Sequence, residues 1–269
     1  MPKIKDRYEG TMLGLAIGDA LGYAVEFSSL GAIYAQYGPQ GIQELELRSG
    51  IAHFSDDTQM SIAVARGLAR APRPLTCDGS APLVASEFVE WSVRPVGGHR
   101  APGGACMAGC RALRDGVPWD RAGGKDAGGC GSVMRSAPYA LFFPEEDDAI
   151  ECSARHAKMT HGHPLAAAAS AALTCGVWNA LRDADPTVVV TRMIDAAASY
   201  DAKTARMILH ARDTIMGAIY GGEKDVDSTL HHLFDLYRGW AGHEAIAAAT
   251  VAFLAGTSSP EDGPVADPE

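Results

Sequence analysis

No Cys-x-x-Cys pair occurs in this chain of 269 residues, although it has six cysteines, at positions 77, 106, 110, 130, 152 and 175. A chain of this size needs no stapling, so the pattern excludes a disulfide-framed or zinc-finger domain and points to reduced thiols in a reducing compartment. Dense Lys/Arg clusters are missing as well: 33 acidic side chains stand against 23 basic ones, a formal charge of -10. That balance disfavours nucleic acid and anionic membrane as partners and leaves a small or locally recognised substrate. The longest uncharged apolar stretch, Leu165 to Trp178, is mostly alanine and too short to span a bilayer. The polar start leads into a segment broken by Asp19 and Glu26, unlike the apolar core of a signal peptide, and the expected location is cytoplasmic.

Strand-like alternation is scarce, with Ile42 to Leu47 the best candidate. Helical spacing runs instead through nearly the whole chain, as in Leu13, Ala16, Ile17, Ala20 and Leu21. It predicts a helix from Ser55 to about Arg70 and others over 81–93, 104–115, 146–158, 164–182, 187–199, 202–219, 226–237 and 242–255. The expectation is one all-α domain over residues 1–256 with irregular connections, then a mobile tail at 257–269. Gly10, Gly14, Gly18 and Gly22 form a stripe on the first helix. Close helix packing is its expected use, ahead of direct approach of a ligand.

Four segments could carry chemistry. In His53-Phe54-Ser55-Asp56-Asp57-Thr58, Ser55 reads as a helix N-cap, and the helix dipole favours the two aspartates behind it. The same residues also project hard oxygen ligands, which suit magnesium, calcium or manganese. Asp19 and Glu26 interrupt an apolar, glycine-rich stretch, where an acid must be paired, metal-bound or functional. Gly128 to Pro138 is a glycine-rich turn opening a short helix; its amides could hold phosphate, with Arg135 assisting or bracing the fold. Its spacing matches neither a P-loop nor a dinucleotide fingerprint. In Thr160-His161-Gly162-His163-Pro164, Pro164 starts a helix, and at least one histidine is expected to cap or bridge. An isoprenoid synthase is disfavoured because Asp57 is followed by Thr58, Gln59 and Met60. A His-Asp phosphohydrolase is disfavoured because no His-Asp dipeptide occurs.

These segments, in this order, resemble the ADP-ribosylglycohydrolase family: Gly14 to Gly22 with Glu26, then Ser55-Asp56-Asp57-Thr58, the loop from Gly129 to Pro138, and Thr160-His161. Gly239 to Ala247 looks like the family's Gly-Trp segment ahead of a late helix. The resemblance implies an all-α orthogonal helical bundle around a cleft with two magnesium ions. It also implies hydrolysis of the bond between ADP-ribose and a modified side chain, most commonly arginine. By position, Ser55, Asp56 and Asp57 would hold metal, and Glu26 and Asp57 would be catalytic. Asp19, Gly129, Cys130, Gly131, Ser132, Met134 and His161 would bind substrate, an ADP-ribosylated protein or ADP-ribose.

The family also has a late Gly-Asp-x-Asp-Ser/Thr motif that completes the metal site, and this sequence has Ala255 to Pro264 in its place. Asp225 and Asp227 have the right spacing but precede the Gly-Trp segment, and read as a helix cap. The expectation is a chain cut short before the motif. The alternatives are a one-metal variant and a degenerate protein that binds ADP-ribose or confers toxin immunity without turnover.

Overall fold

The computed structural model describes residues 3–221 and 225–257. The expected tail therefore lies, beyond Thr257, outside the described residues. Twelve α-helices make up the described residues, with two short 3₁₀ turns and one small hairpin: α1 (Ile4–Tyr23), α2 (Leu30–Tyr37), α3 (Asp56–Arg70), α4 (Cys77–Val93), α5 (Gly104–Arg114), α6 (Ala137–Phe142), α7 (Glu146–Ala157), α8 (Pro164–Ala180), α9 (Pro186–Ala198), α10 (Ala202–Gly221), α11 (Val226–Leu236) and α12 (Gly242–Thr257). None of these helices is long and apolar enough to cross a membrane. The all-α expectation holds, and the predicted helix ends fall within a residue or two of the observed ones except at α4. There Thr76 accepts a hydrogen bond from Gly79 N at 3.1 Å, so Asp78 and Gly79 form the first turn instead of breaking the helix.

The strand expectation is corrected. Pairing falls on β1 (Leu47–Arg48) and β2 (Ile51–Ala52), antiparallel, so that only Leu47 of the expected strand Ile42 to Leu47 is paired. Ser49 and Gly50, at φ of 54° and 79°, make the tight turn that brings a partner strand within reach, and residues 42–46 have no such partner.

Two large apolar cores form, beside a small cluster of Ala154, Ala167 and Ala171. Met60, Val64 and Leu68 of α3 meet Val84 and Phe88 of α4, Cys106 and Cys110 of α5, Tyr139 and Cys152. Ala168 and Ala172 of α8 meet Val190, Met193, Ile208, Ile215, Ile246 and Leu254 of the later helices. Each interior spacing of three or four residues puts one face of a helix into these cores. Small residues set the closest approaches: a Cβ on Gly67 would lie 2.7 Å from Val84 Cα, and one on Gly109 would lie 2.5 Å from the Met159 carbonyl oxygen.

The glycine stripe of α1 behaves differently. A Cβ on Gly10, Gly14, Gly18 or Gly22 would meet nothing within 4 Å, so the packing expectation is overturned. No facing helix fills that stripe among the described residues; Gly18 and Gly22 face a cleft instead.

Candidate active site

The cleft has room of about 520 Å³ and is walled by α1, the start of α3, the 3₁₀ turn Cys130–Arg135 and the beginning of α12. That is space for a nucleotide-sized ligand. Asp19, Glu26, Ser55, Asp57, Cys130 and Met134 line it, bringing together residues from three of the four segments singled out in the sequence.

The start of α3 is assembled from three directions. Ser55 Oγ caps the helix by accepting from Asp57 N at 3.2 Å. Asp19, reaching over from α1, accepts from Ser55 N at 2.9 Å, Thr58 N at 3.0 Å and the Thr58 hydroxyl at 2.6 Å. Its carboxylate is thus largely engaged in holding two chain segments in register, and the helix's first amides favour its negative charge. From the third side comes the glycine-rich loop around Gly97 to Gly104. Asp56 N donates to the Arg100 carbonyl at 3.0 Å, and Asp56 Oδ2 accepts from Gly103 N at 3.4 Å. Gln59 donates to the carbonyls of Val96 and Gly98 at 3.0 and 2.9 Å.

Burial, joined by the neighbouring charge of Asp57, raises the Asp56 carboxyl from 3.8 to about 7. Burial, then Asp19 and Glu26, raises Asp57 from 3.8 to about 7 as well. Glu26 is pushed up by burial and by Asp19. None of these four acids forms an ion pair among the described residues. A set of hard oxygen donors with unmatched negative charge has the chemistry to take a divalent cation. Among the described residues, however, no three acids here bring their oxygens within 4.8 Å of one another.

The glycine-rich turn is built as a rigid wall. Cys130 N donates to the Trp240 carbonyl at 3.1 Å and Gly242 N to the Gly128 carbonyl at 3.0 Å, which ties the loop to the entry of α12. Arg135 is buried beneath it, donating to the Gly131 carbonyl at 2.5 Å and to Thr160 Oγ1 at 2.8 Å, over the Phe88 ring. Of its two proposed roles, Arg135 fills the bracing one. Ser132 Oγ is also buried, donating to the Ala166 carbonyl at 3.2 Å.

Gly129, Gly131, Ser132, His161 and Asp56 are not among the residues lining the cleft. His161 lies behind the turn, with Nδ1 at 2.7 Å from Thr160 Oγ1, and its ring fills the space where a Cβ on Gly131 would otherwise stand, 2.8 Å from Cε1. Burial, then Arg135, lowers its pKa from 6.5 to about 3, so the ring is neutral. His163 caps α8 by accepting from Leu165 N at 3.2 Å, and Asp225 caps α11 by accepting from Ser228 N at 3.0 Å, both as expected.

Sequence reading missed Tyr23, Arg238 and Trp240 as cleft residues. Arg238 is the cation that lines the cleft, and Trp240 stands beside Phe27, with ring centroids 6.0 Å apart and planes tilted by 31°. Their places beside the Gly-Trp segment and Glu26 were the available signal.

Comparison with known proteins points to one family. Residues 1–266 match the model of the family described as ADP-ribosylglycohydrolase. The chain is 37% identical over 175 residues to the ADP-ribosyl-[dinitrogen reductase] glycohydrolase of Rhodospirillum rubrum, a match covering 62% of this chain and 55% of that protein. It thus spans little more than half the length of that relative. An uncharacterized protein of Archaeoglobus fulgidus is 27% identical over 223 residues, covering 78% of this chain and 67% of that one. In fold, the chain superimposes on a solved ADP-ribosylglycohydrolase-related protein complex with a TM-score of 0.59 and 22% identity, over 100% of this chain and 91% of the other. Matched by the family model over nearly its whole length, this chain belongs to the ADP-ribosylglycohydrolase family.

Proposed function

We propose that this chain is a cytoplasmic hydrolase that cleaves the glycosidic bond between ADP-ribose and a modified protein side chain, arginine first, using magnesium held by Ser55, Asp56 and Asp57. The observation that carries this reading is the unpaired acidic cluster of Asp19, Glu26, Asp56 and Asp57 at a nucleotide-sized cleft. Magnesium, when bound, supplies charge neutralisation and Lewis acidity toward ribose hydroxyls. The chain's own groups divide the remaining work. Asp57 faces the cleft, where a carboxylate stabilises the positive charge that builds at the anomeric carbon. Glu26 lines the cleft with its carboxyl pushed up by burial and by Asp19, which makes it a candidate to donate a proton to the departing guanidine. Arg238 suits a diphosphate, Trp240 offers a face to a flat base, and the bare backbone at Gly18 and Gly22 leaves room for the ligand.

A second reading, a protein that binds ADP-ribose without turning over substrate, is favoured by the acids' failure to converge on a three-ligand centre. Incubation with arginine-ADP-ribosylated protein and magnesium separates the two. Release of ADP-ribose that stops with chelator and in Asp57→Ala supports the hydrolase. Calorimetric binding of ADP-ribose with no release at any magnesium concentration sinks it and leaves the binder.

A further inference from the structure

Where the start of α4 meets α7, Cys77, Cys152 and His156 bring their sulfur and nitrogen atoms within 4.8 Å of one another, the one such group of His, Cys, Asp or Glu among the described residues. None of the three lines the acidic cleft. Two thiols and an imidazole are a zinc donor set by composition, but the ring is not presented as a ligand. Its Nδ1 is 3.0 Å from the Tyr139 hydroxyl and its Nε2 is 3.1 Å from the Cys77 carbonyl oxygen, so both nitrogens are engaged. Cys152 Sγ stands 3.8 Å from each ring nitrogen. That equality places the sulfur over the ring, because an in-plane sulfur at such a distance would collide with Cε1. Imidazole lone pairs lie in the plane, so an ion shared by Cys152 and His156 would be badly placed for the nitrogen.

The two thiols are unlike. Cys77 is half-buried and is the first residue of a helix of 17 residues, while Cys152 is fully buried. Cys77 is held below the ordinary thiol range, first by the Cys152 thiol that donates toward it, then by His156 and Arg155. Burial pushes Cys152 up. Burial also raises Cys106 to about 12 and Cys110 and Cys130 to about 11, which keeps those thiols protonated and inert.

We propose that Cys77 and Cys152 are a reversible dithiol–disulfide pair that exchanges with a low-molecular-weight disulfide such as oxidised glutathione. The Cys77 thiolate attacks one sulfur of the oxidant, whose S–S bond breaks and releases one thiolate, leaving a mixed disulfide on Cys77. Cys152 then gives up its proton and attacks Cys77 Sγ; the mixed disulfide breaks and the second thiolate leaves. Two electrons pass from the cysteine pair to the oxidant, and the two cysteine protons end on the two released thiols. Cys77 is the attacking residue and Cys152 the resolving one, since the half-buried thiol meets the oxidant first. The product ties the start of α4, which packs against α3, to α7.

The whole chain is treated with oxidised glutathione, then alkylated under denaturing conditions and mapped by mass spectrometry. The expected result is a loss of two hydrogens, a cross-linked pair of peptides containing Cys77 and Cys152, and full reversal by dithiothreitol. Cys152→Ser is expected to stop at one glutathione adduct on Cys77, and Cys77→Ser to stay unmodified, with circular dichroism confirming that both variants fold. The wild-type map decides even if a variant does not fold. A lasting glutathione adduct on Cys77 in the wild type, modification at another cysteine, or no reaction overturns the proposal. Stoichiometric zinc retained against a chromophoric chelator, and lost in Cys77→Ser, would replace it with a metal centre.

Discussion

Asp19 and Thr58, 39 residues apart in sequence, are joined by two hydrogen bonds: the Asp19 carboxylate accepts from the Thr58 amide at 3.0 Å and from its hydroxyl at 2.6 Å. The carboxylate thus acts as a cap for a helix in which it has no place, and it fixes α1 against the start of α3. Asp19→Ala removes four acceptor contacts at once and leaves buried donors unmet. The expected loss is about 2–4 kcal/mol, from charge-assisted bonds worth roughly 1.5–3 kcal/mol each and imperfect additivity. Thermal unfolding reads it as a fall of roughly 4–16 °C, at about 2–4 °C per kcal/mol for a chain near this size. An unchanged midpoint would mean that the cap carries no stability.

The acidic pair makes stability depend on pH. Asp56 and Asp57 sit at about 7 when folded against an ordinary 3.8. Between those values the folded chain holds protons that the unfolded chain has released, so the pair's contribution is most favourable below 3.8 and is lost as pH rises through 7. Asp57→Asn is therefore expected to be more stable than wild type in urea at pH 8 without divalent metal, and to lose most of that advantage by pH 5. A gap of equal size at both values would show that Asp57 ionises normally.

Magnesium should relieve the same repulsion. If Ser55, Asp56 and Asp57 hold the ion, millimolar magnesium is expected to raise the unfolding midpoint of the wild type at pH 8 and to leave that of Asp57→Asn nearly unmoved. Equal shifts in both proteins would place any ion elsewhere.

Gly18 separates binding from folding. A Cβ there would meet nothing within 4 Å, and replacing a helix-interior glycine gains about 0.5–1 kcal/mol. Gly18→Leu is expected to keep or raise the unfolding midpoint and to weaken ADP-ribose binding at least about tenfold, equivalent to roughly 1.4 kcal/mol, by filling the cleft. Tight binding retained by this variant would move the ligand off the α1 face.

Gly131 makes the opposite case. A Cβ there would come 2.5 Å from Cys106 Sγ and 2.8 Å from His161 Cε1, both buried. Gly131→Ala is expected to cost about 1–3 kcal/mol of stability by overpacking, measured by urea unfolding.

Much of this was legible one residue at a time. Ser55 and Asp225 announced helix starts because a capping side chain bonds amides only two or three positions away, and Pro164 announced another because its ring suits the first helical turn. The helical periods stood out because each core-facing stripe repeats within a few residues. The stripe of α1 misled because small residues at a spacing of four look alike whether a helix or a ligand is to come close. Ile42 to Leu47 misled because alternation says nothing of a partner, whereas Ser49-Gly50 creates one.

By itself, the sequence determined the all-α class, the order of the helices other than α2, the acids gathered at Asp56 and Asp57, and the family likeness, since local spacing and short ordered motifs carry all of these. Only the tertiary structure decided that Asp19 caps α3, that Arg135 and His161 support the glycine-rich turn from behind, that Arg238 and Trp240 join the cleft, and that Cys77 meets Cys152. Each of those relationships joins groups far apart along the chain, where the packing of whole helices, and not the residues near them in sequence, sets the distance.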